Sequence, residues 1–183
     1  MKWRNNSPIG DAGRPDNMSI MKKLLIVYQS LTGGAAQMAE AAAGGATAVE
    51  GLGVRLVLAR AAGPQDLLES DGYLFVCPEN LAAIAGLMKD FFDRAYYPVL
   101  ERINGRPYAT LICAGSDGSN AARQLERIAT GWRLREIAPP LIVCTHAQTP
   151  EEILRPKQVS AVELARCQEI GATIASGLAL GIY

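Results

Sequence analysis

From Lys23 onward the chain alternates short β-branched or apolar runs with longer stretches whose apolar residues recur every three or four positions. That alternation admits few folds, because each strand-then-helix unit returns the chain to the same end of a sheet and lays the next strand parallel to the last. Five runs read as strands: residues 24–29, 54–59, 72–77, 108–114, and 134–144 with an interruption at Pro139-Pro140. The first, third and fourth are nearly unbroken apolar, as in strands covered on both faces, and are expected at the centre of the sheet.

The stretches between them read as helices. Leu81, Ile84, Met88, Phe91, Phe92, Ala95 and Val99 mark one face of a helix ending near Tyr97-Pro98. Leu125, Ile128, Ala129 and Trp132 mark a second, and Leu164, Cys167, Gly171, Ile174 and Leu178 the last. The first helix, residues 34–50, is alanine and glycine on every side and is expected to approach the sheet closely. Its Gly44-Gly45 pair weakens it by roughly 1 kcal/mol per glycine. Two windings fit five such units, a sheet of order 2-1-3-4-5 or a fragment of the six-stranded dinucleotide-binding order.

A chain of 183 residues is about one domain long. That domain is expected over residues 22–183, after a flexible tail over residues 1–21 that has neither periodicity nor the apolar core of a signal peptide. Met18 and Met21 are each alternative starts. No apolar run approaches the roughly 20 residues of a bilayer crossing, so no membrane partner is expected. Eighteen basic residues balance eighteen acidic ones, leaving no global field to attract nucleic acid. Cys77, Cys113, Cys144 and Cys167 show no CxxC spacing, and three of them end apolar runs. They read as reduced, buried thiols, and the expected location is cytoplasmic.

The chemistry-bearing segment follows the first strand. Ser30-Leu31-Thr32-Gly33-Gly34-Ala35 is a hydroxyl-rich and glycine-rich turn opening a helix, which aims backbone N–H groups and the positive end of the helix dipole at one point and suits a phosphate. No G-x-G-x-x-G is present and no lysine follows the glycines, so the dinucleotide fingerprint and the triphosphate P-loop are both missing. A plain Ser/Thr cap is the bland alternative.

Ser30-x-Thr32-Gly33-x resembles the S-x-T-G-x-T phosphate loop of flavodoxins and of the flavodoxin-like NAD(P)H-dependent FMN and quinone reductases. Ala35 stands where that family usually carries a second threonine or serine, a missing hydroxyl worth on the order of 1 kcal/mol of affinity. Cys77-Pro78-Glu79-Asn80-Leu81 resembles the P-E-N loop of the reductase branch, and residues 86–94 resemble its G-x-x-K-x-F-x-D-R helix. Ala114-Gly115-Ser116-Asp117-Gly118 falls where the loop after the fourth strand would meet the other edge of the flavin ring. The resemblance runs from Lys22 to about Trp132.

The resemblance implies a flavodoxin-like three-layer α/β sandwich with a five-stranded parallel sheet of order 2-1-3-4-5. It implies one FMN held by Ser30, Leu31, Thr32, Gly33, Gly34, Ala35, Pro78, Glu79, Asn80, Leu81, Ala114, Gly115, Asp117 and Gly118. It further implies NAD(P)H as co-substrate, a quinone or other small-molecule acceptor, and a homodimer or homotetramer. No acid, base or nucleophile stands out, as expected where the flavin itself carries the hydride. Two rivals remain open: a flavodoxin-type electron carrier, which the neutral charge disfavours, and a flavodoxin-fold protein with a weakened or lost flavin site. His146 reads as a surface or capping residue, and Lys89, Asp90, Asp93 and Arg94 as a solvated helix face.

Overall fold

The computed structural model describes residues 21–183. The expected tail therefore lies, apart from Met21, outside the described residues. In chain order the elements are β1 (Lys22–Tyr28), α1 (Gly34–Thr47), β2 (Leu52–Leu58), α2 (Pro64–Leu68), β3 (Gly72–Asn80), β4 (Ala83–Ile84) and α3 (Gly86–Val99). They continue with β5 (Pro107–Ala114), α4 (Ser119–Gly131), β6 (Arg135–Glu136), β7 (Leu141–Cys144), α5 (Pro150–Leu154) and α6 (Ala161–Ala179).

β1 pairs in parallel with β2 and β3, β3 with β5, and β5 with both β6 and β7. β6 lies beside Pro107 and Tyr108, and β7 begins beside Leu111. They are two pieces of one strand, broken where Pro139 and Pro140 have no N–H to donate to the ladder. Positions along the sheet thus follow the expected 2-1-3-4-5, with β1, β3 and β5 central. Two corrections apply: the sheet has seven strands rather than five, and β4 is antiparallel to β3.

The alternation of side chains along the central strands builds two apolar layers. Leu24, Ile26, Leu74, Val76 and Leu111 face one way and pack with α1 and α6. Leu25, Val27, Phe75, Tyr108 and Ile112 face the other and pack with Phe91, Phe92 and Trp132 of the α3 and α4 side. Within the aromatic layer Phe75 and Phe92 meet edge to face, their ring centroids 5.1 Å apart.

On the opposite layer the small residues of α1 do bring it close, but its tightest approach is to α6 rather than to the sheet. A Cβ added to Gly171 would run into the backbone carbonyl of Ala42, and one added to Gly45 into that of Gln168.

Three expectations about helices are corrected. α1 ends at Thr47, not at residue 50. The α3 helix starts at Gly86 rather than at Leu81, because residues 79–84 form a hairpin in which Glu79 pairs with Ile84 and Asn80 with Ala83. The spacing of Leu81 and Ile84 matched a helix by coincidence, and Leu81 is fully exposed. α2 and α5 were not anticipated, since five residues are too few to show a period. Among the described residues no helix is long and apolar enough to cross a membrane.

Candidate functional site

The carboxyl ends of β1, β3, β5 and β7 open into a cleft of about 440 Å³, at the edge where open α/β sheets bind ligands. Its first wall is the turn after β1. The Ser30 Oγ accepts the Gly33 N–H at 3.1 Å and closes the turn. Gly33 itself has φ 90°, a conformation in which any Cβ is strained. As the cap of α1, Gly33 offers no side-chain acceptor, so no side chain satisfies the amides of the helix's first turn.

The second helix that starts at the cleft is finished differently. The Glu79 carboxylate accepts the Gly118 N–H at 2.8 Å through Oε2 and the Ala121 N–H at 3.4 Å through Oε1, so the amino end of α4 is filled by the chain's own anion. Among the described residues, the dipole end of α1 is thus the one of these two left for an external anion.

The β3–β4 hairpin forms the second wall. Its two-residue tip, Leu81 and Ala82, has φ 51° and φ 56°, a primed turn that normally takes Asn-Gly. Each non-glycine residue held there costs on the order of 1 kcal/mol or more. The tip is held by α4: the Asn120 amide donates to the Ala82 carbonyl, and the Ile84 N–H donates to Gln124 Oε1 at 3.0 Å.

Cys113, Ala114, Gly115 and Ser116 form the third side. Burial pushes the Cys113 thiol up to about 11, with nearby Lys157 pulling it down. It is neutral at physiological pH and poorly nucleophilic.

The fourth side, carrying Thr145, Ala147, Ile153 and Lys157, escaped the sequence reading. This strap after β7 folds back on the phosphate-type turn. The Lys157 N–H donates to the Thr32 carbonyl at 2.8 Å. Gln37 of α1 clasps the same segment, its Nε2 donating to the Lys157 carbonyl at 2.7 Å and its Oε1 accepting the Val159 N–H at 3.2 Å. A capping box of Thr149 and Glu152 starts α5, but the docking partner of the strap lies far away in sequence.

Of the residues expected to touch a ligand, Leu31, Thr32, Pro78, Glu79, Asn80, Leu81, Ala114 and Gly115 line the cleft. Ser30, Gly33 and Gly34 complete the turn without lining the cleft, and Asp117 and Gly118 lie at the amino end of α4, outside the lining. Ala35 is 2% exposed and packs among Leu24, Ile26 and Met38. The structure therefore corrects its expected place opposite a phosphate. We expect Ala35→Thr to lower stability by about 1–2 kcal/mol through overpacking without tightening flavin binding, checked by urea denaturation and fluorescence titration. His146 is exposed beside the cleft, and among the described residues no cluster of three metal-ligating side chains exists.

Solved structures share this arrangement of sheet, helices and loops. A flavodoxin from the domain Archaea superposes with a TM-score of 0.69 at 18% identity, covering 85% of this chain and 98% of that one. A WrbA-like flavodoxin from Agrobacterium tumefaciens gives 0.69 at 18% identity, covering 87% and 98%. The chain has the flavodoxin fold. In sequence, residues 59–148 match the family described as NADPH-dependent FMN reductase. A flavodoxin from Aquifex aeolicus is 34% identical over 98 residues, which is 54% of this chain and 53% of that protein. An NAD(P)H dehydrogenase (quinone) from Acidithiobacillus ferrooxidans is 35% identical over 94 residues, 40% of this chain and 47% of that one. The chain thus spans about half the length of these two relatives. The resemblance to the flavodoxin-like FMN and quinone reductases is borne out by these matches.

Proposed function

We propose that the protein is an FMN-dependent oxidoreductase that takes a hydride from NADH or NADPH and passes electrons to a quinone or another small acceptor. The uncapped amino end of α1, beside a cleft whose other helix end is already filled by Glu79, carries this reading. It offers one phosphate site, which fits FMN rather than FAD. The cleft volume of about 440 Å³ falls within the range of small-molecule sites.

Bound FMN would supply the hydride chemistry, and the chain's residues would bind and orient it. Thr32 and the first-turn amides of α1 would hold the phosphate, while the Leu81 hairpin and residues 114–116 would flank the ring. Among the described residues no aromatic side chain lines the cleft, so none of them stacks across the ring face and a nicotinamide could reach it. The assembly we favour is a homodimer or homotetramer, for which the exposed Leu87 and Tyr97 of α3 offer an apolar surface.

Purified protein should release FMN on heating, identified by chromatography. Anaerobic NADH or NADPH should then bleach the visible absorption of the bound flavin, and added quinone should restore it. Recovery of FAD, or no uptake of added FMN, would overturn the cofactor assignment. Bound FMN that neither nicotinamide bleaches within minutes would instead indicate a flavodoxin-type electron carrier.

A further inference from the structure

Among the described residues that line the cleft, one carries a basic side chain, Lys157. Its backbone is fixed at the phosphate-type turn by the bond to the Thr32 carbonyl at 2.8 Å and by the Gln37 clasp. A Cβ built on Gly34, the first residue of α1, would lie 3.3 Å from the Lys157 Cβ. The stem of this lysine therefore starts beside the open helix end.

Its ammonium is held elsewhere, by the carbonyls of Ile153 at 2.9 Å and Arg155 at 2.8 Å and by that of Glu152. These belong to the carboxyl end of α5 and the residue that follows, a cluster of partial negative charge. The field of the ammonium still reaches the cleft floor, where it opposes the upward push of burial on Cys113.

A phosphate dianion outcompetes carbonyls for an ammonium, because it adds a direct attraction between opposite full charges that carbonyl dipoles match only in part. A flexible lysine stem with three rotatable donors can make that exchange without moving its backbone. Building on the FMN reading above, we propose that Lys157 is the charge partner of the flavin's phosphate, held on the α5 carbonyls until that phosphate enters the cleft. The phosphate-type turn resembling the family's has no basic residue of its own, and this lysine, far along the chain, would supply the charge.

FMN and riboflavin differ only in the phosphate, so the pair separates this role from a structural one. The experiment is a flavin-fluorescence titration of the full chain with each ligand, for wild type, Lys157→Met, Lys157→Arg and Gln37→Ala. Lys157→Met should weaken FMN binding about tenfold and leave riboflavin within about twofold, and Lys157→Arg should keep most of the FMN affinity. Gln37→Ala, which loosens the strap without touching the charge, should weaken both ligands alike. Equal losses of FMN and riboflavin in Lys157→Met would make the lysine a structural latch and overturn the proposal. An unchanged FMN affinity in that variant would overturn it too, by showing that the ammonium stays on α5. A wild-type protein that takes up neither ligand would remove the FMN reading itself and this inference with it, an outcome separate from the other two.

Discussion

Gly171→Ala should cost about 3 kcal/mol of stability, near the upper end for overpacking in a tight interior. The added methyl has only the backbone carbonyl of Ala42 to push against, and a backbone carbonyl in the middle of α1 cannot rotate away as a side chain can. Relief requires α6 to move off α1, which also separates Cys167, Ile174 and Leu178 from the sheet layer they cover. Gly44→Ala provides the contrast. It lies in the same helix as Ala42, but a Cβ there meets nothing within 4 Å, so the substitution should stabilise by about 0.5–1 kcal/mol through lost chain entropy. Urea denaturation reads both as shifts in midpoint at constant slope. Two shifts of the same sign would show that the contact between α1 and α6 does not limit the packing.

Stability should also fall steeply in alkali. Burial pushes the thiols of Cys77 up to about 12 and of Cys113 and Cys167 up to about 11. The unfolded chain releases such protons near pH 8.5. Above that pH the native state holds protons that the unfolded state has given up, so the unfolded state is stabilised relative to the native state as pH rises. The stabilisation is complete below about pH 8.5 and is lost as the pH climbs through 11. Each withheld proton contributes about 1.4 kcal/mol per pH unit, so the three thiols together remove about 4 kcal/mol per unit above pH 9. Set against the whole stability of an ordinary domain, about 5–15 kcal/mol, that is enough to lower the urea midpoint steeply between pH 9 and 11. Urea midpoints across this range measure the slope, and Cys77→Ala should lower it by one proton. A flat profile to pH 10.5 would show that the thiols ionise freely in the folded state.

The strands were legible because their signal is local. Leu24, Leu25, Ile26 and Val27 form an unbroken apolar run, and the only place for such a run is a strand covered on both faces. The phosphate-type turn was legible for the same reason, since Ser30, Thr32 and Gly33 lie within four positions of one another. The hairpin after β3 was not. Leu81 and Ala82 are poor residues for a primed turn, and what holds them there is Asn120 and Gln124 on α4, about forty positions away. Glu79 was found as a cleft residue but not for the work of its carboxylate, because its partners Gly118 and Ala121 are equally distant. Ala35 was misplaced because a motif gives spacing and not the direction of a side chain. The Lys157 strap was missed because its contacts with Thr32 and Gln37 join the two ends of the described chain.

The broken fifth strand bears on how the molecules behave when crowded together. A long, regular strand at the border of a sheet presents a row of unpaired N–H and C=O groups onto which a strand from another molecule can zip. Here the border on the β5 side consists of a two-residue piece and a four-residue piece, with Pro139 and Pro140 between them contributing no N–H at all. Neither piece is long enough to template a foreign strand, and the prolines keep them from merging into one that is. The interruption that blurs this strand in the sequence is thus also a guard against aggregation through that border of the sheet.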